Sequence, residues 1–329
     1  MGDIFLSIRG RVTINVEALN MTESVGNYVK HRRVPVIVRE NGGYAVYFVP
    51  SISGESIAHG FQEALAEIAS NSNPKIPVCR LCEKGIFLKS SNESVFKESF
   101  NMSTPADDHE LEKVVLENCI VEDVGGFLYA YGERNVKRTS NFYVGYMIPV
   151  SEAIRNVVIE PQLQTRYALG TPFVKKKEKK EKKEEERGQM IYYVELSSAP
   201  YIFSFDLDTK YIGKTTFVID KPIGEVKDRA RRVEAALDAL QKFLVELMFG
   251  AKKSRFLPVV DWESIVLAVS DDIWTVPSPF TSNYIEKAFK KKEKVNYNTS
   301  LHIYDGTKES FEEAVINAIT EAKSRVTAK

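Results

Sequence analysis

Apolar and polar residues alternate at the start of the chain. Leu6, Ile8, Gly10, Val12, Ile14 and Val16 fall on one side, and Ser7, Arg9, Arg11, Thr13 and Asn15 on the other. A period of two predicts a half-buried strand whose polar face carries two arginines. That face is either an exposed sheet surface or a platform for a polyanion. The stretch Asn20 to Arg33 has no clear period and reads as irregular. Beyond it, two strand-like runs flank Asn41-Gly42, a pair suited to the positive φ of a tight hairpin turn.

The spacing then changes to three-four. In SISGESIAHGFQEALAEIAS, Ile57, Phe61, Leu65 and Ile68 form an apolar stripe, Ser53 suits the N-cap and Glu55 the first turn. His59 lies off that stripe, with Glu55 and Glu63 one turn away on either side, so a solvated or salt-bridged imidazole is expected. Residues 71 to 110 are rich in Ser, Asn, Pro and Asp and read as an insertion. A strand is predicted around Val114 to Val121, followed by a glycine loop at Gly125-Gly126 and a second alternating run, NFYVGYMIPV. The glycine pair is either a tight turn or a point of close backbone approach to a ligand.

Val157 to Leu169 and Met190 to Leu207 are strand-like and flank a block, Lys175 to Arg187, in which every residue is charged. Such a block cannot join a core. A long hairpin with its tip outside the globule is expected. The helix pattern is clearest in EVKDRARRVEAALDALQKFLVELMFG, where Ala230, Val233, Leu237, Leu240, Leu244 and Leu247 share a face and Gly250 suits the end. A strand (Ser264 to Val269), a basic helix (Tyr284 to Lys294), a strand (Val295 to Tyr304) and a last helix (Glu309 to Lys323) complete the pattern. Early hairpins argue against a doubly wound parallel sheet, and an α+β sandwich with insertions fits better.

Composition narrows the classes. Forty-five basic residues balance 45 acidic ones over 329 positions, which argues against a tail-driven nucleic-acid binder but not against a local basic groove. No signal peptide and no run of apolar residues long enough for a membrane span is visible, so a cytoplasmic protein is expected. Three cysteines do not make a disulfide framework at this length, and a reducing compartment follows.

Enzyme signatures are missing: no Walker loop, no G-x-S-x-G, no dinucleotide fingerprint and no H-E-x-x-H around His31, His59, His109 or His302. Cys79-x-x-Cys82 is a zinc or redox pattern, and His109 and Cys119 could complete a Cys₃His set. Against that set stand the long gap from Cys82 to His109 and the expected placing of Cys119 on a buried strand. Basic clusters are more informative. Lys30-His31-Arg32-Arg33 follows Gly26-Asn27; Arg134, Lys137 and Arg138 follow the glycine loop beside Tyr129 and Tyr131; Lys252, Lys253 and Arg255 follow a helix that opens with Arg229, Arg231 and Arg232. Cations with aromatic neighbours in separate loops suit a single-stranded backbone, the cations taking phosphates and the rings taking bases.

The ordered blocks SVGNYVKHRRVPV, ISGESIAHGFQ, DVGGFLYA, VKRTS, GYMIP, VELSSAPYIFSFDLD and AKKSRFLP resemble one family. It is the archaeal subtype I-A CRISPR backbone subunit, the Cas-seven family of the RAMP superfamily, also called the DevR-type autoregulator family. The resemblance covers about residues 5 to 260 and is weak in 71–110, in the charge block and after 270. It implies an RRM-like, ferredoxin-type antiparallel core with large insertions and a β-hairpin thumb over 157–207 carrying the charged loop 175–187. It also implies non-catalytic copies polymerised along a CRISPR guide RNA within a Cascade complex, beside other Cascade subunits, with target DNA recognised by base pairing.

Carried over by matching blocks, Asn27, Lys30, His31, Arg32, Lys137, Arg138, Ser140, Lys253 and Arg255 would grip RNA, with Ser53, Gly54 and His59 near the groove. Gly125, Gly126, Arg134 and Lys252 adjoin them, and Met190 would wedge between bases. The resemblance implies no cofactor; the cysteine pair lies outside its blocks, so zinc is not inherited from it. Two alternatives remain open. One is a metal-dependent ribonuclease of the type III kind, which uses an acidic residue, usually Asp, in the loop after the first strand; here that loop holds only Glu23. The other is a transcriptional regulator, although no helix-turn-helix stands out.

Overall fold

The computed structural model describes residues 2–87, 91–167, 189–307 and 310–327. In chain order, β1 (Phe5–Glu17) leads into two hairpins, β2 (Met21–Val25) with β3 (Tyr28–His31) and β4 (Arg33–Glu40) with β5 (Gly43–Pro50). Helix α1 (Gly54–Asn71) follows, then a 3₁₀ turn at Cys82–Lys84 and helices α2 (Glu93–Phe100), α3 (Asp108–Asn118) and α4 (Ile120–Gly125). Next come β6 (Phe127–Tyr131), β7 (Arg134–Arg138), β8 (Phe142–Val144), β9 (Val158–Tyr167) and β10 (Gln189–Asp208). The rest is α5 (Arg229–Val245), β11 (Val259–Ser270), α6 (Tyr284–Lys294), β12 (Ser300–Tyr304) and α7 (Phe311–Thr327).

The first strand behaves as its alternation predicts. Leu6, Ile8, Val12 and Ile14 are fully buried, and β1 pairs antiparallel with β10 on one edge and β11 on the other. The described strands of the main sheet run β12-β11-β1-β10, and β8 lies along the far edge of β10. Helices α1, α5 and α7 cover one face, sharing a core with these strands. Phe61 of α1 sits at its centre, with ring centroids 4.9 Å from Phe142, 5.0 Å from Phe205 and 6.2 Å from Phe243. Strand β10 runs past the end of β1: beyond Ser197 it pairs antiparallel with β9 and, at Tyr193 and Val194, parallel with β3. Strands β9 and β10 thus pair antiparallel over Val158–Tyr167 and Gln189–Ser198. The charge block Lys175–Arg187 lies outside the described residues.

The opposite face of the sheet is not the open platform that Arg9 and Arg11 suggested. Arg9 makes a bidentate pair with Asp206 at 2.7 and 2.9 Å, and Arg11 donates to the Pro279 carbonyl at 2.8 Å and to Glu152. Trp274, Val276 and the buried side of α6 pack over Val266 and Ala268 of the same face. Alternation reveals which residues share a face; it does not reveal what a later segment lays over them.

Two further expectations are corrected. The stretch Asn20 to Arg33 contains the β2–β3 hairpin, anchored where the Tyr193 amide donates to the Asn27 carbonyl at 2.8 Å. Val114 to Val121 is helical, running from α3 into α4. Asp107 caps α3 by accepting from the Glu110 amide, and Leu111, Val115 and Leu116 face a small core with Phe96, Phe127, Tyr129 and Val136. Burial at helical spacing overrides the β preference of the valines. Cys119 accordingly sits at a helix junction, not on a strand.

Candidate nucleic-acid interface

The first three turns of α1 form one wall of an open groove. Asn20, Arg32, Ser53, Glu55, Ser56, His59, Gly60, Glu63, the segment Met248–Ala251 and Lys253 line it. Residues from three separate stretches thus meet: the exit of β1 with the start of β4, the N-terminal end of α1, and the loop after α5. Asn20 joins two of them, its carbonyl accepting from the Arg32 amide at 2.9 Å and its Oδ1 from the Ser53 amide at 2.7 Å. Ser53 is the N-cap as predicted, accepting from the Ser56 amide. The third stretch is tied in where the Ala251 amide donates to the Leu19 carbonyl at 2.8 Å.

Charge in the groove is mixed. Arg32 lines it, and the buried Arg32 Nε has no hydrogen-bond partner among the described residues. Such a donor lacks the compensation that buried polar groups normally find. Lys253 donates from Nζ to the Leu247 carbonyl, and burial lowers its pKa against the pull of Glu63. An arriving anion would favour the charged form of Lys253. His59 is half-exposed, 3.2 Å from Glu63, and lies edge-on to Phe87. Gly54 packs its backbone against Val144 and Gly145 at the groove's end.

His31 departs from the expectation of an RNA-facing cation. Its ring is buried, with Nε2 2.6 Å from Glu17 Oε1 and Nδ1 2.9 Å from the Arg32 carbonyl. Burial opposes its charge, but the Glu17 hydrogen bond and carboxylate, the Arg32 carbonyl and Glu195 outweigh that and raise its pKa above 6.5. His31 is thus placed to position Arg32. Lys30 is exposed and borders a second depression with Thr22, Glu23, Arg33 and Glu195. Asn27 is exposed at the hairpin tip, near the stacked rings of Tyr28 and Tyr193, 4.7 Å apart. Arg255 is exposed and donates to the Tyr192 hydroxyl at 2.9 Å; Lys252, at φ 58°, turns the chain before it.

The glycine-loop cluster divides. Lys137 and Arg138 alternate along β7, so one side chain is exposed and its neighbour is buried. Arg138 pairs with Asp123 at 2.7 Å and Glu112 at 3.2 Å and donates to three carbonyls, which leaves it a structural cation. Arg232 joins it on Asp123, where burial outweighs both cations and raises the carboxyl's pKa. Arg229 is likewise buried, paired with Asp3. Arg134 donates from Nε and Nη2 to the one Asp108 Oδ1 and lies over the Tyr129 ring. Ser140 closes its own turn by bonding Phe142. Gly125 lies against Gln62, and Gly126 is a point of close approach, but to its own chain: at φ 78°, a Cβ there would come 2.6 Å from the Arg138 carbonyl oxygen. Nothing is described of the Met190 side chain.

Cys79, Cys82 and Cys119 converge: their sulfurs all lie within 4.8 Å of one another. His109 is not with them, which corrects the Cys₃His set. It stands in the first turn of α3 beside Gly224, while Glu122 Oε1 lies 3.4 Å from Cys82 Sγ. Sequence reasoning also missed Asn20, Tyr192 and the Met248–Gly250 wall. Only Gly60, a glycine inside a helix, signalled that something must approach there.

Comparison with known proteins agrees with the blocks read above. The profile described as "CRISPR-associated negative auto-regulator DevR/Csa2" matches residues 8–289. "CRISPR-associated protein Cas7/Csa2 1" of Saccharolobus solfataricus is 35% identical over 328 residues, covering 92% of this chain and 98% of that protein. "CRISPR-associated aCascade subunit Cas7/Csa2 2" of the same organism is 37% identical over 267 residues, covering 79% and 78%. Among solved structures, a chain of "CRISPR RNA-guided surveillance complex, pre-nicking" superposes with a TM-score of 0.52 at 10% identity, covering 97% of this chain and 99% of that one, a likeness of fold. The chain belongs to the DevR/Csa2 family of CRISPR-associated proteins.

Proposed function

We propose that this protein is a non-catalytic backbone subunit that grips a CRISPR guide RNA through its sugar-phosphate chain and lines up with copies of itself along it. It would work in the cytoplasm with other Cascade subunits, and base pairing by the guide would select the target DNA. The observation that carries this reading is the convergence of Arg32, Ser53, His59 and Lys253 from distant stretches in one open groove. The strand order β11-β1-β10-β8, with α1 and α5 on one face, favours an RRM-like, ferredoxin-type core. The paired strands β9 and β10 would form the base of a thumb. No described helix is long and apolar enough to cross a membrane.

The geometry suggests how backbone gripping works. The backbone of Arg32 is held from both sides, its amide by the Asn20 carbonyl and its carbonyl by the Ser51 amide, which fixes the point from which its side chain enters the groove. Lys253, across the groove, adds a second phosphate ligand, and the stacked Tyr28 and Tyr193 lie near the hairpin where bases would pass. Glu23, the acidic residue available to a ribonuclease in the loop after β1, is 3.7 Å from Lys30 and exposed.

Paired substitution of Arg32 and Lys253 by alanine tests the proposal. Affinity should fall alike for single-stranded RNAs of unrelated sequence, and the salt slope should drop by about 0.7 per lost phosphate contact. A loss confined to one RNA sequence would contradict backbone recognition.

A further inference from the structure

We propose that Cys79, Cys82 and Cys119, with Glu122 beside them, form a structural binding site for a divalent cation of the zinc class. The three thiols are buried and free of disulfides, and their sulfurs all lie within 4.8 Å of one another. Zinc with Zn–S bonds of about 2.3 Å sets tetrahedral sulfur–sulfur edges of about 3.8 Å. A small contraction therefore closes the cluster on a metal ion.

The local backbone suits the task. Cys82 opens the 3₁₀ turn, and Gly85 follows in the left-handed region at φ 71°. The turn closes where the Glu83 amide donates to the Cys79 carbonyl and the Gly85 amide to the Cys82 carbonyl, both at 3.0 Å. The third sulfur comes from another segment. Cys119 sits between α3 and α4, and the amide of its neighbour Ile120 donates a hydrogen bond to the Pro77 carbonyl, just before the cysteine turn, at 2.9 Å.

Buried cysteines alone commonly pack as small apolar groups. Glu122 sets this cluster apart. Its Oε1 lies 3.4 Å from Cys82 Sγ, and among the described residues no Lys, Arg or His is paired with it. Its oxygen stands within reach of the sulfurs through Cys82, so a divalent ion held by the three thiolates would gain an oxygen as its fourth donor. On binding, the thiol protons pass to solvent.

The site would staple the segment Ile76–Phe87 to the α3–α4 junction and to the foot of α1, where Ala66 and Ala69 share the same core. It also backs the groove, because Phe87 lies edge-on to His59 and Gly85 approaches Glu63.

Metal content of the full-length chain, purified under reductant from zinc-supplemented cells, tests this directly. About one zinc per chain is expected, with release by a chelator lowering the melting midpoint. Replacement by Co²⁺ should give thiolate charge-transfer absorption and the intense ligand-field bands of a tetrahedral site. Cys82→Ser should cut metal content about tenfold or more, and Glu122→Gln should keep the metal but shift the ligand-field bands. A reduced, folded wild-type chain that carries no zinc and takes up no Co²⁺ overturns the site. An intact mass lacking two thiol hydrogens, marking a disulfide, overturns it as well. Ligand-field bands unchanged in Glu122→Gln would overturn the role of Glu122.

Discussion

Gly60 of α1 lies directly beneath the carbonyl of Met248: a Cβ added to the glycine would stand 1.9 Å from that oxygen. This contact sets how closely the loop after α5 can approach the helix, and so fixes the width of the groove between Arg32 and Lys253. The helix leading into that loop ends earlier than the apolar stripe in the sequence predicts. Helix α5 stops at Val245, and the chain turns at Leu247 with φ 47° instead of continuing to Gly250.

Gly60→Ala is therefore expected to act on both stability and binding. The added methyl must displace backbone, at about 1–3 kcal/mol for overpacking. A shifted urea midpoint together with weaker RNA binding is the expected result. Wild-type affinity in a correctly folded variant would show that the loop position does not matter to the ligand.

Arg138 and Lys137 are adjacent in sequence and opposite in role. Arg138→Ala takes a buried cation from Asp123 and Glu112. Because Arg232 and the Gly213, Thr216 and Phe217 amides still face them, the cost should be near the low end for breaking a buried pair, about 3 kcal/mol. Lys137→Ala, on the exposed face of β7, should leave the melting midpoint unchanged. If Lys137→Ala lowers RNA affinity while the fold is intact, β7 belongs to the RNA path; unchanged affinity would remove it.

The His31–Glu17 pair predicts a pH dependence of stability. The imidazole pKa is raised in the folded state, so the pair's contribution is fully present below about 6.5, the unfolded value, and fades as pH rises through the folded pKa. Glu17 and Glu195 face the ring, Tyr201 donates to the same Glu17 oxygen, and Arg33 reaches Glu195. Urea midpoints measured from pH 5.5 to 8.5, a range spanning about one unit below and two above the reference value, should decline over this window. The decline should flatten in Glu17→Gln. Equal slopes in both proteins would assign the dependence to other groups.

Much of the scaffold was legible because its signals are local. The alternation of β1, the Asn41-Gly42 turn, the Ser53 cap and the basic helix at Tyr284–Lys294 need only neighbours along the chain. What escaped was non-local. Nothing near Arg9 announces Asp206, and nothing near Arg138 announces that Asp123 and Glu112 will enclose it. The α3–α4 region is the exception: Asp107 with Glu110 is a readable capping pair, outvoted by a run of β-branched residues. Family blocks pointed to Arg32, Ser53, His59 and Lys253, which the fold brings into one groove, but could not separate exposed cations such as Lys137 from buried residues such as His31 and Arg138.

The central claim is that copies of this chain assemble along a single-stranded guide through its backbone. Titration with single-stranded RNAs of increasing length, against duplex DNA of matched sequence and with complex mass followed by light scattering, tests it most directly. The account predicts affinity that rises with RNA length and complexes that grow by whole subunits, indifferent to sequence. Binding that is independent of length, or stronger to the duplex, would contradict it.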